Sequence, residues 1–307
     1  MPRDLSIEYY EKPVLITTRT IASRLWFSNN RRLKRLFVTY LAKYQLKYQV
    51  IIYGFIIMDN HYHLIASFPL GNRADFLRSY NGILAKITAR VCPQFIDGRL
   101  WARRAKIQVF ERKEDLEHWF FYVALNPVSS GLVEFISDYD SYNSFLDSVS
   151  GNNPKFKMID WEEYRRRFLE DPFTKPEDCY KEYTLIFTRL SDYKNLSTEE
   201  YRKLMKNKLE ERRKALVKER RSKKKGFAGK KNLEKVKPGA LPKETKKSKR
   251  NSKRPIILTL CVETKSQFLK EYFSIVNQYK EASELYRKGM ENIIFPRGTT
   301  KPYIFNL

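Results

Sequence analysis

The chain has 307 residues, 42% of them hydrophobic and 14% aromatic, enough apolar content to demand a packed core and to exclude a wholly disordered chain. Its formal net charge is +25, with 24 Lys/Arg against 5 Asp/Glu between Tyr201 and Arg254, a balance typical of chains that bind nucleic acid. No apolar run is long enough to cross a membrane, the N-terminus lacks a signal-peptide pattern, and Cys92, Cys179 and Cys261 form no Cys-x-x-Cys pair; a soluble, cytoplasmic protein without a disulfide framework or zinc knuckle is expected.

The β-branched run Pro13 to Ile21 predicts a strand. Asn29 to Tyr44 carries Leu33, Leu36, Phe37, Tyr40, Leu41 and Tyr44 at helical spacing. Tyr48 to Met58 is a long apolar β-type run, Asp59-Asn60 a turn, and His61 to Phe68 a second strand, which together read as a hairpin. Ala74 to Val91 is again helical and stops at Cys92-Pro93. A short strand follows at Ala105 to Phe110, then a helix from Lys113 to Leu125 that stops at Asn126-Pro127. This order predicts an α+β fold, a ferredoxin-like split β-α-β sheet with one added helix.

Beyond Ser150 the pattern loosens. Residues 151–200 read as a partly helical extension containing Asp160 to Glu170. Residues 201–254 read as a basic helix (within Ser197 to Lys225) and a flexible linker (Lys225 to Lys253). Such a segment is either a solubilising linker or an arm that binds a polyanion. Residues 255–307 form a C-terminal helical segment with apolar periodicity from Ser266 to Lys288.

Two features carry chemistry. His61 and His63 stand at i and i+2 on a predicted strand, so both imidazoles fall on one face, close enough to share a metal ion, while Tyr62 and Leu64 point the other way. Two partly exposed polar residues at a strand edge would show the same spacing. The apolar run before them argues for a buried setting, in which unpartnered imidazoles are costly. On the helix after the fourth strand, Leu116, Trp119, Phe120 and Val123 make a core stripe, and His118, Tyr122 and Asn126 make a neighbouring column four residues apart. That column offers a possible ligand, a possible nucleophile and a side-chain amide. With 20 tyrosines in the chain, spacing alone does not single out Tyr122.

The motifs together resemble a family. The string from Tyr53 to Ile65, containing Met58-Asp59-Asn60-His61-Tyr62-His63-Leu64, resembles the HUH motif of single-tyrosine transposases of the insertion-sequence 200/605 group, and most of all the REP-associated tyrosine transposases. Leu100-Trp101 with Arg103 and Arg104, and Tyr122-Val123-Ala124-Leu125-Asn126-Pro127-Val128 through Gly131-Leu132-Val133, are similar to that family's downstream segments. Phe295-Pro296-Arg297-Gly298 resembles a closing string of its longer members. Two departures stand out: Asp59 replaces a usual proline, and Ser129-Ser130 replaces Arg-Ala.

The resemblance implies His61, His63 and Asn126 as metal ligands, with His118 a competitor for the third place. It implies Tyr122 as nucleophile, Mg²⁺ or Mn²⁺ as cofactor, and nicking and strand transfer on single-stranded or hairpin DNA through a 5′-phosphotyrosine. Residues 1–150 would be the catalytic domain, acting as a monomer or homodimer. Arg19, Arg103, Arg104 and Lys106 are the cations expected to meet phosphate. Rolling-circle initiators and relaxases share this chemistry, although many carry a second tyrosine where this chain has Phe120 and Phe121. A domesticated, non-cleaving nucleic-acid-binding protein is the alternative outside enzymes.

Overall fold

A computed structural model describes residues 5–95, 98–242 and 256–302. Strand β1 (Val14–Arg19) leads into helix α1 (Arg31–Tyr48), which starts where the Asn30 side chain accepts the Leu33 amide N–H. Strands β2 (Ile51–Ile57) and β3 (His61–Ser67) form the hairpin, helix α2 (Arg73–Val91) follows, and strand β4 (Lys106–Val109) returns to the sheet. β3 lies between β2 and β1, and β4 pairs with the far side of β1, every pairing antiparallel. Each strand-helix-strand crossover therefore skips one strand.

Period-2 alternation gives the sheet two unlike faces. Ile16, Phe55, Tyr62 and Leu64 point into the core shared with α1 and α2. Leu15, Ile56 and Ile65 point to the opposite side, where helix α3 (Lys113–Ala124) packs Phe120, Phe121 and Val123 against them. A short helix α4 (Asn126–Ser129) follows immediately. Trp119, expected in the core stripe, is only half-buried, while Phe121 belongs to the core; the stripe is displaced because a second helix covers α3 from outside.

That cover comes from the C-terminal half. After α5 (Phe145–Ser150), strand β5 (Lys155–Ile159), helix α6 (Trp161–Glu170) and strand β6 (Tyr180–Thr184) form an antiparallel ribbon against α1, in a region the sequence predicts as only partly helical. Helix α7 (Thr198–Ser222) then opens on a capping box at Ser197 and Glu200. It is no free arm. Tyr201 and Met205 enter the core beneath Phe120, and Val217 packs on Leu125 and Val128. Gly131 shows how close the contact is. Its φ is +74°, and a Cβ there would stand 2.0 Å from the Arg220 guanidinium.

The predicted flexible linker is docked as far as it is described, and residues 243–253 of it lie outside the described residues. Ala228 and Gly229 donate to the carbonyls of Gly131 and Leu132, and the stretch includes a single-turn helix, α8 (Lys230–Leu233). The Asn29 side-chain amide donates to the carbonyls of Leu233, Glu234 and Val236, and Gly239 packs against Trp26. Its low-complexity composition hid these contacts, because backbone groups make most of them. Strand β7 (Ile256–Ile257) then adds to β4 in parallel, and α9 (Val262–Arg287) packs Phe268 beside Tyr9. Gly298, at φ +80°, accepts the Glu8 amide N–H and ties the closing string to the N-terminal segment. Among the described residues no helix is long and apolar enough to cross a membrane.

Met205 is fully buried under the tyrosine-bearing helix. Met205→Ala should cost ~2–5 kcal/mol of stability, read as a lowered urea midpoint. A helix that merely trails as a basic arm would leave the midpoint unchanged.

Candidate active site

The site grows from strand alternation. His61 and His63 both project from β3 on the α3 side of the sheet, with ring centroids 4.8 Å apart and planes at 86°. The Asn60 amide sets the chemistry of the first ring. Its Nδ2 donates to the Ser23 carbonyl at 2.9 Å, which leaves Oδ1 to face His61 Nδ1 at 2.7 Å. A carbonyl oxygen can only accept, so Nδ1 carries the proton and Nε2 keeps its lone pair. Ser23 presents that carbonyl from a strained turn, with Ala22 and Ser23 at φ +50° and +53°. His63 Nδ1 meets Thr17 Oγ1 at 2.8 Å, a pairing fixed by the antiparallel register of β1 and β3.

Burial pushes both imidazoles down, His63 to about 3, and the Arg19 charge adds to each shift. Both rings are therefore neutral near pH 7, the state that can ligate a cation. Thr17 and Asn60 place an oxygen on each Nδ1, the arrangement that orients imidazoles able to bind a metal.

Tyr122 is 39% exposed, its ring edge-on to Trp119 at 4.8 Å and 6.0 Å from the His63 ring. Burial raises its hydroxyl pKa, and the Asn126 amide and the Arg19 charge both pull it back. The helix does not run through to Asn126 as the column of three would require. It ends at Ala124, Leu125 adopts φ −91° and ψ 9°, and Asn126 begins α4 with Pro127 next. This break still carries the amide to the histidines. Asn126 is buried, with Nδ2 3.3 Å from His63 Nε2 and Oδ1 accepting from Ser130 Oγ at 3.4 Å. Turned over, the amide would set Oδ1 beside Nε2, and the Ser130 hydroxyl would accept instead of donate. Two imidazole nitrogens and an amide oxygen are thus a workable donor set for a divalent cation.

His118 stacks edge-on against Trp119 at 5.6 Å. Among the described residues no group of three or more His, Cys, Asp or Glu is placed to hold a metal, so His118 does not complete a triad with the pair. Arg19 is exposed directly across the β1–β3 register from His61, and Lys106 lies across from Thr17 on the other side of β1. The charges of Arg103 and Arg19 both depress the Lys106 ammonium, after its burial. Arg19, Arg103 and Lys106 therefore form one positive rim. Arg104 is exposed and has no side-chain hydrogen bond or ion pair to the site among the described residues.

Sequence reasoning missed the support behind Tyr122. On α3, Glu117 accepts from Lys208 Nζ at 2.9 Å and from the Tyr193 hydroxyl, and the Arg212 guanidinium lies 4.4 Å from the Phe121 ring centre. Thr17 and Asn60 were also missed. Thr17 shares the β1 periodicity of Leu15 and Arg19, but only the register shows which histidine it meets.

No family model matches the chain, and no curated protein matches it. Among solved structures it is similar to a REP-associated tyrosine transposase bound to a REP hairpin, at 21% identity and a TM-score of 0.34, over 50% of this chain and 87% of that one. At that level of likeness, function has to be argued from the site itself.

The depressed His63 pKa has a consequence for stability. The unfolded chain protonates His63 near 6.5 and the folded site only near 3. Between those values the unfolded state binds more protons, so stability is full above pH ~6.5 and is lost as pH falls towards ~3. In chelated buffer, urea unfolding of His63→Gln should show a shallower loss over this window than the unsubstituted chain. Equal slopes would contradict the buried, neutral imidazole.

Proposed function

We propose that this chain is a single-tyrosine transposase-like enzyme of the HUH type, which nicks and rejoins single-stranded hairpin DNA with Tyr122 as nucleophile. The observation that carries the reading is the meeting of His61, His63, Asn126 and Tyr122 from two separate elements beside an exposed arginine. The strand order β2-β3-β1-β4 supports a ferredoxin-like plan for the catalytic unit. Phe120 and Phe121 are both buried in the core, which leaves Tyr122 without a tyrosine neighbour on its helix and favours this class over the two-tyrosine initiators.

In this reading His61, His63 and Asn126 hold Mg²⁺ or Mn²⁺, which when bound supplies positive charge against the phosphate. Arg19, with Arg103 and Lys106, holds the strand by its phosphates and keeps the scissile group before Tyr122. The Tyr122 oxygen forms a bond to phosphorus as the bond to the 3′-oxygen breaks. The phenol loses its proton, the 3′-oxygen gains one, and a 5′-phosphotyrosine remains. A new 3′-hydroxyl reverses the step and joins the ends. The sheet and Trp119 hold the Tyr122 ring, and the clamp from α7 holds its helix, so the nucleophile is positioned before DNA arrives.

A labelled single-stranded hairpin incubated with the protein and Mn²⁺ should give a covalent adduct that survives denaturation. Tyr122→Phe and chelation should each abolish it; an adduct from the phenylalanine variant would sink the assignment. Thr17→Val removes the oxygen behind His63 and should weaken metal affinity ~10–100-fold, measured as the Mn²⁺ concentration for half-maximal adduct.

A further inference from the structure

The docked basic segment closes a second site outside the one described. A cleft of about 540 Å³ lies between the start of α1, the loop 137–142, β5 and α8. That volume is in the range of small-ligand sites, ~300–1,000 Å³; it has room for a nucleotide-sized unit and none for a duplex. Arg31, Lys34, Arg35, Lys155 and Lys230 line it. Against them stand Asp138 and Asp140, so the lining is net positive. Several of these charges are already engaged. Arg31 pairs with Asp140 at 3.3 Å, Lys155 with Glu182 at 3.1 Å, and Lys34 donates to the Asp140 carbonyl. Arg35 and Lys230 are exposed and have no ion pair or side-chain hydrogen bond among the described residues.

These two cations come from distant parts of the chain and meet at one cleft only because the segment 228–240 is tied down. Its anchors are Gly131, Asn29 and Leu25. Aromatic rings from two other elements, Tyr142 and Phe156, complete the wall, both half-buried. Free cations interleaved with aromatic faces are the pattern that takes unpaired nucleotides, phosphate on the cations and base on the ring.

We propose that this cleft is a second nucleic-acid site, which takes one unpaired nucleotide of the DNA strand with its phosphate between Arg35 and Lys230 and its base against Tyr142 or Phe156. The inference rests on the DNA-processing reading above for its choice of ligand. It gives the basic segment a fixed place in recognition, where composition alone offered a trailing arm.

The test is fluorescence-anisotropy binding of a labelled single strand to the full chain in chelator across a salt series, so that cleavage plays no part. The variant Arg35→Glu/Lys230→Glu should bind more weakly, with a slope of log K against log salt reduced by ~0.7, the share of the one phosphate that is no longer neutralised. Lys86→Glu/Arg90→Glu, an equal charge change at exposed positions on α2, should shift the slope less. With saturating strand and Mn²⁺, the Arg35→Glu/Lys230→Glu variant should still form the Tyr122 adduct. An unchanged slope, or one equal to the α2 control, overturns the cleft while leaving the adduct reading intact. A free 5′-mononucleotide that binds as tightly as the strand also overturns it, since the cleft then serves a small ligand. Absence of adduct from the unsubstituted chain would instead refute the catalytic reading, and the binding slopes would still decide the cleft.

Discussion

The antiparallel register of β1 against β3 is the constraint on which the site depends. It sets Thr17 opposite His63 and Arg19 opposite His61, and so decides which oxygen backs the His63 ring and where the nearest exposed positive charge sits. A slip of one residue would turn both histidines into the α1/α2 core and Tyr62 out of it. The register is held by burial on both faces of the sheet. Leu15 and Ile65 pack under α3, while Ile16 and Leu64 pack under the other two helices, so neither face tolerates the wrong residues. A weak two-residue motif becomes a rigid pair of neutral imidazoles for this reason.

Around that pair the protein sets opposing electrostatic demands near one another. The imidazoles are neutral because burial and Arg19 both disfavour their protonation. The same arginine favours ionisation of Tyr122, whose hydroxyl burial would otherwise hold protonated. Burial is the main cause of the neutral imidazoles; one exposed guanidinium adds to it and eases charge on to the phenol. Its charge acts on groups that are shielded from water, where an interaction between charges is less screened.

The C-terminal half works as scaffolding for the N-terminal half. Helix α7 packs on α4 and α5, adds Tyr201 and Met205 to the cluster that holds Phe120 and Phe121, and reaches α3 with Lys208 and Arg212. The following segment runs from Gly131 to Trp26 and returns the chain to the turn beside the histidines. Much of the charge that looked like an unattached polyanion-binding arm is therefore carried on a surface of fixed shape. Long-range affinity and local positioning can then come from the same residues.

Element order, the alternation that puts His61 and His63 on one face, and the amphipathic helix bearing Tyr122 were legible in the sequence, because each depends on residues close in the chain. The sequence also offered Asn126 as a ligand and the end of its helix at Asn126-Pro127; that the amide still reaches His63 across this break depends on the tertiary placement of α4. Thr17, Asn60 and the clamp of Glu117 by Lys208 and Tyr193 were invisible, since strand register and helix-on-helix packing set them across dozens of residues. The basic segment misled for a physical reason. Lysine-rich composition reports exposed side chains, while the docking of residues 228–240 is made largely by backbone carbonyls and amides, which every sequence possesses. Periodicity along the chain fixed which faces exist; only tertiary packing decided which of them meet.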